Sequence, residues 1–226
     1  MSDKTTTLPF EENAMLEIHA PTLEDSEALL EFELENRAYF ETWINAREDG
    51  YYNLSAVRHA IETAQSDAST DKAYQFLVKL NGIIVGRINL TGVTRPYFNK
   101  ASLGYRIGER FGGNGYATKA VELALEKGRV DLDLWRIEAT VRPENKGSCR
   151  VLQRNGFIAY GTARRSMKLH GAWYDLIHFE CHLDRFANDS APRSAETTDS
   201  PGAVATAVQG PVPSLECLVH SDNHRS

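Results

Sequence analysis

The consecutive residues Arg110, Phe111, Gly112, Gly113, Asn114, Gly115, Tyr116 and Ala117 stand just ahead of a segment with helical periodicity. Glycines let the main chain curl closely round a bound group, and the unpaired N–H groups at a helix start attract an anion. A pyrophosphate suits both features. Two common phosphate signatures are missing: Thr118 stands where GxGxxG needs its last glycine, and there is no Gly-Lys-Ser/Thr of a P-loop. A simple connecting turn fits the same residues.

Further along, Asn145 and Ser148 open a short helical segment that stops at Asn155-Gly156. A serine there can donate a hydrogen bond or proton to a leaving group, and an asparagine can orient a ligand or a water. Both are also ordinary helix-start residues, with Asn145 as an N-cap. Glu138, in a β-rich run, could take a proton through a water, or could face solvent or an arginine. Tyr105 could bind substrate or pack. Cys149 has no His or Asn placed to activate it and suits a small buried hydrophobe. His19, His59, His170, His178 and His182 lack metal-ligand spacing, and no metal is expected. Tyr39 and Trp43, with Glu41 between them, form an aromatic cluster that is either core or, where exposed, the wall of a binding slot.

These residues must be held by alternating strands and helices. Met15 to His19 reads as a first strand, and Thr22 as an N-cap to a helix running to about Arg37, with Leu23, Leu30 and Leu34 facing the core and the acids between them facing water. Tyr51 to Gln65 suggests a second helix. Tyr74 to Leu80, Asn81-Gly82 and Ile83 to Val93 form a hairpin pattern with a type I′ turn. Ala101 to Ile107 adds a strand, Tyr116 to Arg129 a helix continuing its apolar pattern to Val130, and Trp135 to Val141 a further strand. After the helix Lys146 to Arg154, the strands Phe157 to Arg165 and Trp173 to Leu183 close the order around a turn at Gly171.

With 42% hydrophobic and 25% charged residues in 226, the composition is that of a globular protein with one core. The start, residues 1–13, reads as flexible and has no apolar signal region; from Arg185 to the end, Ser, Thr, Ala and Pro dominate and predict a disordered tail. The domain is therefore expected at 14–184 and the location as cytoplasmic, with no membrane partner. Cys149, Cys181 and Cys217 are scattered and expected to be reduced. The net charge of −6 argues against a nucleic-acid partner and favours a cationic one.

The pattern Arg-x-x-Gly-x-Gly/Ala at Arg110, Gly113 and Gly115, after the strand Leu103 to Ile107, resembles the coenzyme A pyrophosphate loop of the GNAT acetyltransferase superfamily. Asn145 and Ser148, opening a helix that ends Asn155-Gly156-Phe157, resemble its second signature. Closer similarity is to the RimJ/RimL-type ribosomal-protein-alanine N-acetyltransferases, through Gly104-Tyr105-Arg106-Ile107, the loop GGNGYATKA, Asn145-x-x-Ser148, Gly161 and Gly171-x-Trp173-x-Asp175. It extends from about Leu16 to Leu183. Lys119 departs from the pattern, standing where relatives often carry Glu.

The resemblance implies an α/β (α+β) fold: a mixed, mostly antiparallel twisted sheet with flanking helices, splayed between two central parallel strands. Acetyl-CoA would lie in the splay between Leu103–Ile107 and Trp135–Val141. Main-chain groups of Arg106, Ile107 and Gly108 would hold the pantetheine and acetyl carbonyl; Phe111, Gly112, Gly113, Asn114, Gly115, Tyr116 and Ala117 would hold the pyrophosphate, with Arg110 adding charge and Asn145 touching the cofactor. Ser148 becomes the candidate acid, Glu138 the candidate base, and Tyr39, Trp43 and Tyr105 candidate acceptor contacts. The implied activity is direct acetyl transfer to an amine in a ternary complex, most simply a protein N-terminal α-amine. A small amine such as an antibiotic, polyamine or amino acid, and a non-catalytic acetyl-CoA-binding role, are the alternatives. Edge strands of such a sheet can pair in a homodimer.

Overall fold

The computed structural model describes residues 15–183; the expectations for residues 1–13 and 185–226, and Cys217, fall outside them. The described chain runs β1 (Leu16–His19), α1 (Ser26–Glu35), α2 (Arg37–Glu41), α3 (Leu54–Ser69), β2 (Ala73–Leu80), β3 (Ile83–Thr94), β4 (Lys100–Ile107), α4 (Tyr116–Val130), β5 (Arg136–Val141), α5 (Lys146–Arg154), β6 (Ile158–Leu169) and β7 (Ala172–His182). One seven-stranded sheet has the order β1-β2-β3-β4-β5-β7-β6. All neighbours are antiparallel except β4 and β5.

That parallel pair decides the architecture. Its register covers only Lys100↔Arg136, Ala101↔Ile137 and Ser102↔Glu138. Beyond Ser102, β4 stays paired with β3 as far as Ile107, while β5 pairs with β7 as far as Val141. The two strands therefore diverge, and the edge of each that faces the other has no ladder to join.

The sheet buries a different set on each face, as strand alternation requires. Ile88, Leu103, Ile137, Ala139 and Val141 pack with Ala120, Val121 and Ala124 of α4 and Leu152 of α5. On the opposite face Leu77 and Ile84 pack with Leu29, Phe32, Phe40, Val57 and Ile61 of α1, α2 and α3. Burying a side chain such as Ile61 contributes about 1.5–3 kcal/mol. The Asn81-Gly82 turn has positive φ at both positions, 49° and 82°, as the type I′ reading predicts.

The first helical region departs from its pattern. Asn36 interrupts it, separating α1 from α2. Leu23 and Leu34, expected in the core, are 46% and 50% exposed, and Val130 is exposed as well. Leu29 and Phe32 take the inner positions instead, and among the acids expected in water Glu33 is fully buried. The next helix starts later than its apolar pattern suggests, because the Asn53 side chain accepts the Ala56 N–H at 2.9 Å and caps it there.

Candidate functional site

The divergence of β4 and β5 opens a cavity of about 1070 Å³ that reaches both faces of the sheet. At one end is the start of α4. Gly113 and Gly115 have φ of 80° and 81°, the left-handed region that glycine enters without strain. Gly115 is the N-cap, so the first N–H groups of α4 have no helical acceptor and point towards the cavity rim. Asn114 shapes the turn from outside, its Nδ2 donating to the carbonyls of Phe111 at 3.3 Å and Gly112 at 3.1 Å.

The loop before α4 is anchored by a residue that spacing did not single out. Buried Asn36 accepts the Glu109 N–H at 2.9 Å through Oδ1 and donates from Nδ2 to the Phe32 carbonyl at 2.8 Å. A Cβ on Gly108 would stand 3.0 Å from both Asn36 Oδ1 and Phe32, so this glycine permits close approach to α1. Gly86 of β3 does the same beneath β4, where a Cβ would lie 2.5 Å from Ile107 Cδ1 and 2.6 Å from the Arg106 carbonyl oxygen.

At the centre of the cavity, Tyr105 of β4 and Ser148 of α5 meet with Oη and Oγ 2.9 Å apart. Ser148 is fixed from behind, because its N–H donates to Asn145 Oδ1 at 3.0 Å, the N-cap bond of α5. Burial pushes the Tyr105 hydroxyl up to about 12 from its ordinary 10.0, against the lowering effect of the Ser148 hydrogen bond. Tyr105 is thus a protonated hydroxyl at neutral pH. Cys149 is packed at the margin of the hydrophobic core and is absent from the cavity lining.

Most of the residues singled out from the sequence meet here. Arg106, Ile107, Phe111, Gly112, Gly113, Gly115, Tyr116 and Ala117 line the cavity along β4 and the α4 start; Tyr105, Asn145 and Ser148 line its middle; Tyr39 and Trp43 line the α2 side. Four do not line it. Gly108 is turned to α1, Asn114 is folded into its own loop, and Arg110 lies 4.7 Å over the Phe111 ring and 3.8 Å from Glu35. Glu138 is the fourth: strand alternation sets it beside Arg136, the arginine-facing alternative of the two, and its carboxylate is paired with Lys100 at 2.9 Å and Arg136 at 2.8 Å, outside the cavity lining.

Several lining residues escaped the sequence reading. Arg47, Arg87 and Arg142 join Arg106 in bringing guanidinium groups to the α1–α3 side, and Arg150 and Arg154 come from α5. No Asp, Glu or His lines the cavity among the described residues. Behind the wall, Glu33 accepts from Arg87 at 2.6 Å and Arg106 at 2.7 Å, with Arg47 at 4.0 Å. Burial opposes its ionisation, but these arginines outweigh it and hold Glu33 below the ordinary carboxylate range. No periodicity marks Arg87 or Arg47; they become legible only when β3 and the loop after α2 are laid on the same face.

Residues 15–158 match the family model described as the acetyltransferase (GNAT) domain. The chain belongs to the GNAT acetyltransferases. A probable N-acetyltransferase, YjcK of Bacillus subtilis, is 35% identical over 153 residues, spanning 67% of this chain and 84% of that protein. The [ribosomal protein uS5]-alanine N-acetyltransferase of Escherichia coli is 27% identical over 160 residues, covering 68% and 80%. Among solved structures, Mycobacterium smegmatis RimJ in complex with CoA-disulfide superposes with a TM-score of 0.70 at 26% identity, covering 74% and 81%. This GNAT protein is therefore an acyltransferase of the N-acetyltransferase kind, and its splayed sheet is the sheet of that family.

Within the GNAT frame, the diverging β4 edge and the α4 start suit coenzyme A. Main-chain groups of Gly104 to Ile107 on the side of β5 lack a strand partner, and the helix start offers unpaired N–H groups. No helix among the described residues is long and apolar enough to cross a membrane.

Proposed function

We propose that the protein transfers the acetyl group of acetyl-CoA to a protein N-terminal α-amine by direct attack in a ternary complex. The observation that carries this reading is the cavity through the sheet, with the Tyr105–Ser148 hydroxyl pair in its middle, the α4 start at one end and the Tyr39–Trp43 wall at the other. The name of the uS5-alanine N-acetyltransferase relative supports a protein alanine amine as the acceptor.

Acetyl-CoA brings an activated thioester. The residues of the chain do the rest. Main-chain groups of Arg106 and Ile107 hold the acyl arm along β4, and the N–H groups of Tyr116 and Ala117 at the α4 start hold the pyrophosphate. The amine enters from the α2 side beside Tyr39 and Trp43 and attacks the carbonyl carbon; a C–N bond forms, the C–S bond breaks, and the amine proton passes to water. Tyr105 donates to Ser148 Oγ, which leaves the Ser148 hydrogen free to meet the departing sulfur. Asn145 acts by capping α5 and thereby placing Ser148. No covalent intermediate on the enzyme is required, and Cys149 has no part.

Release of free CoA from acetyl-CoA should rise with peptides beginning with Ala or Ser and remain near background with spermidine. Ser148→Ala should lower kcat about 10²-fold with little change in the KM for acetyl-CoA. Undiminished turnover in that variant would remove Ser148 from the chemistry, and stimulation by small amines alone would overturn the N-terminal acceptor.

A further inference from the structure

The acceptor half of the cavity carries a charge opposite to that of the whole molecule. The protein has a net charge of −6, yet Arg47, Arg87, Arg106 and Arg142 all line the cavity on the α1–α3 side, and no acidic side chain lines it among the described residues. A single carboxylate, Glu33, stands behind three of them. Arg87 is engaged through both terminal nitrogens, donating to Glu33, Tyr51 and Gln75 at 2.6, 3.2 and 2.8 Å. Arg106 shares the same Glu33 oxygen at 2.7 Å. Arg47 lies 4.0 Å over the Tyr51 ring and Arg142 lies 3.7 Å over the Tyr174 ring. Arg142 has a partner, Glu144 at 3.4 Å, whose own side chain is 56% exposed and screened by water.

Resting on the proposed amine acceptor, we propose that this acceptor carries a carboxylate close to its reactive amine, held by Arg47 and Arg142. Stacked guanidinium groups are preorganised for a planar anion, which they engage through paired N–H donors. A polycation would meet uncompensated like charge in a partly desolvated space. Burial, with Arg87 and Arg47 nearby, depresses Arg106 to about 10 despite Glu33, the behaviour of a charge that is incompletely neutralised. The same field disfavours an ammonium at the reacting position, so the amine presents its free form without a carboxylate base beside it. The acceptor carboxylate in turn offsets the cost of bringing the molecule in.

The test compares acceptors that differ in one group, using the full chain with acetyl-CoA. C-terminally amidated Ala-Asp-Ala, Ala-Asn-Ala and Ala-Lys-Ala report on peptides, β-alanine and its amide report on small molecules, and spermidine reports on a polycation. Within each pair the carboxylate member should have about tenfold higher kcat/KM, mainly through KM, and the advantage should shrink as salt is raised. Arg47→Gln and Arg142→Gln should erase the preference, whereas Arg47→Lys retains much of it. Calorimetric titration of the same ligands into the CoA-bound protein reads the preference without turnover and should give the same order. Equal binding and turnover within each pair, or preference for the Lys peptide or spermidine, overturns the proposal. Turnover of β-alanine but of no peptide would sink the N-terminal acceptor and leave the carboxylate requirement standing. Turnover of all three peptides alike would do the reverse.

Discussion

Tyr105 and Ser148 show how one contact changes the meaning of two side chains. Each alone has an ordinary explanation, a strand aromatic and a helix-start serine, but a 2.9 Å separation inside the cavity makes them a hydrogen-bonded pair. Tyr105→Phe removes one hydroxyl of the pair and leaves the ring's packing, so kcat should fall about tenfold, the cost of a single hydrogen bond, while the KM for acetyl-CoA stays nearly constant. The pH dependence has a definite sign. Burial favours the neutral phenol, so Tyr105 titrates near 12 rather than 10.0. Its ionisation should not depress the rate between neutral pH and the ordinary tyrosine range. Because the unfolded chain loses this proton first, stability should fall as pH rises from the ordinary value towards 12. A Phe variant that keeps the parent kcat at neutral pH would exclude Tyr105 from the proton path.

At the scale of elements, the site depends on how closely β3 and β4 run beneath the cavity and on where α4 begins. Gly86 has no room for a methyl group, since the obstacles include the Arg106 main chain as well as the tip of Ile107. Gly86→Ala should therefore shift the end of β4, destabilise the protein by about 1–3 kcal/mol, and raise the KM for acetyl-CoA several-fold. Asn53→Ala is the matched control: loss of the α3 cap costs about 1 kcal/mol, but α3 lies outside the cavity lining. Its kinetic constants should be those of the parent. If the two variants lose stability equally and both retain the parent KM, the β3–β4 approach does not set the cofactor arm.

For the molecule as a whole, buried carboxylates tie the helical layer to the sheet. Glu33 of α1 joins Arg87 of β3 to Arg106 of β4, and Asp25, just before α1, accepts from Lys79 of β2 at 2.7 Å. Burial works against both charges, but the arginines around Glu33 and the Lys79 and Thr22 hydrogen bonds to Asp25 win, so both carboxyls titrate below their ordinary values of 4.5 and 3.8. As pH falls through that range the unfolded chain binds protons first, and stability declines. Urea unfolding should show a lower midpoint at pH 4 than at neutral pH. Glu33→Gln should cost about 3–5 kcal/mol at neutral pH, because it strands buried guanidinium charge, and should flatten the acid dependence. An unchanged midpoint in that variant would mean that Glu33 does not bridge the layers energetically.

The order of strands and helices, the Asn81-Gly82 turn, the glycine loop and the Asn145–Ser148 helix start were legible in the chain, because each is written in local terms: alternation, positive-φ preference and caps that act within a few residues. The inward set of α1 was not. Its choice of Leu29, Phe32 and Glu33 over Leu34 is made by Leu77, Ile84 and Arg87, which stand on strands far along the chain. Nor was the side to which Glu138 points, which a strand decides only through its neighbours and which places that carboxylate with Lys100 and Arg136. The basic lining on the α1–α3 side of the cavity lay furthest from view. Its arginines come from β3, β4, the loop after α2 and the end of β5, and their charges, diluted in a net count of −6, become one field only where folding brings them to the wall of one cavity.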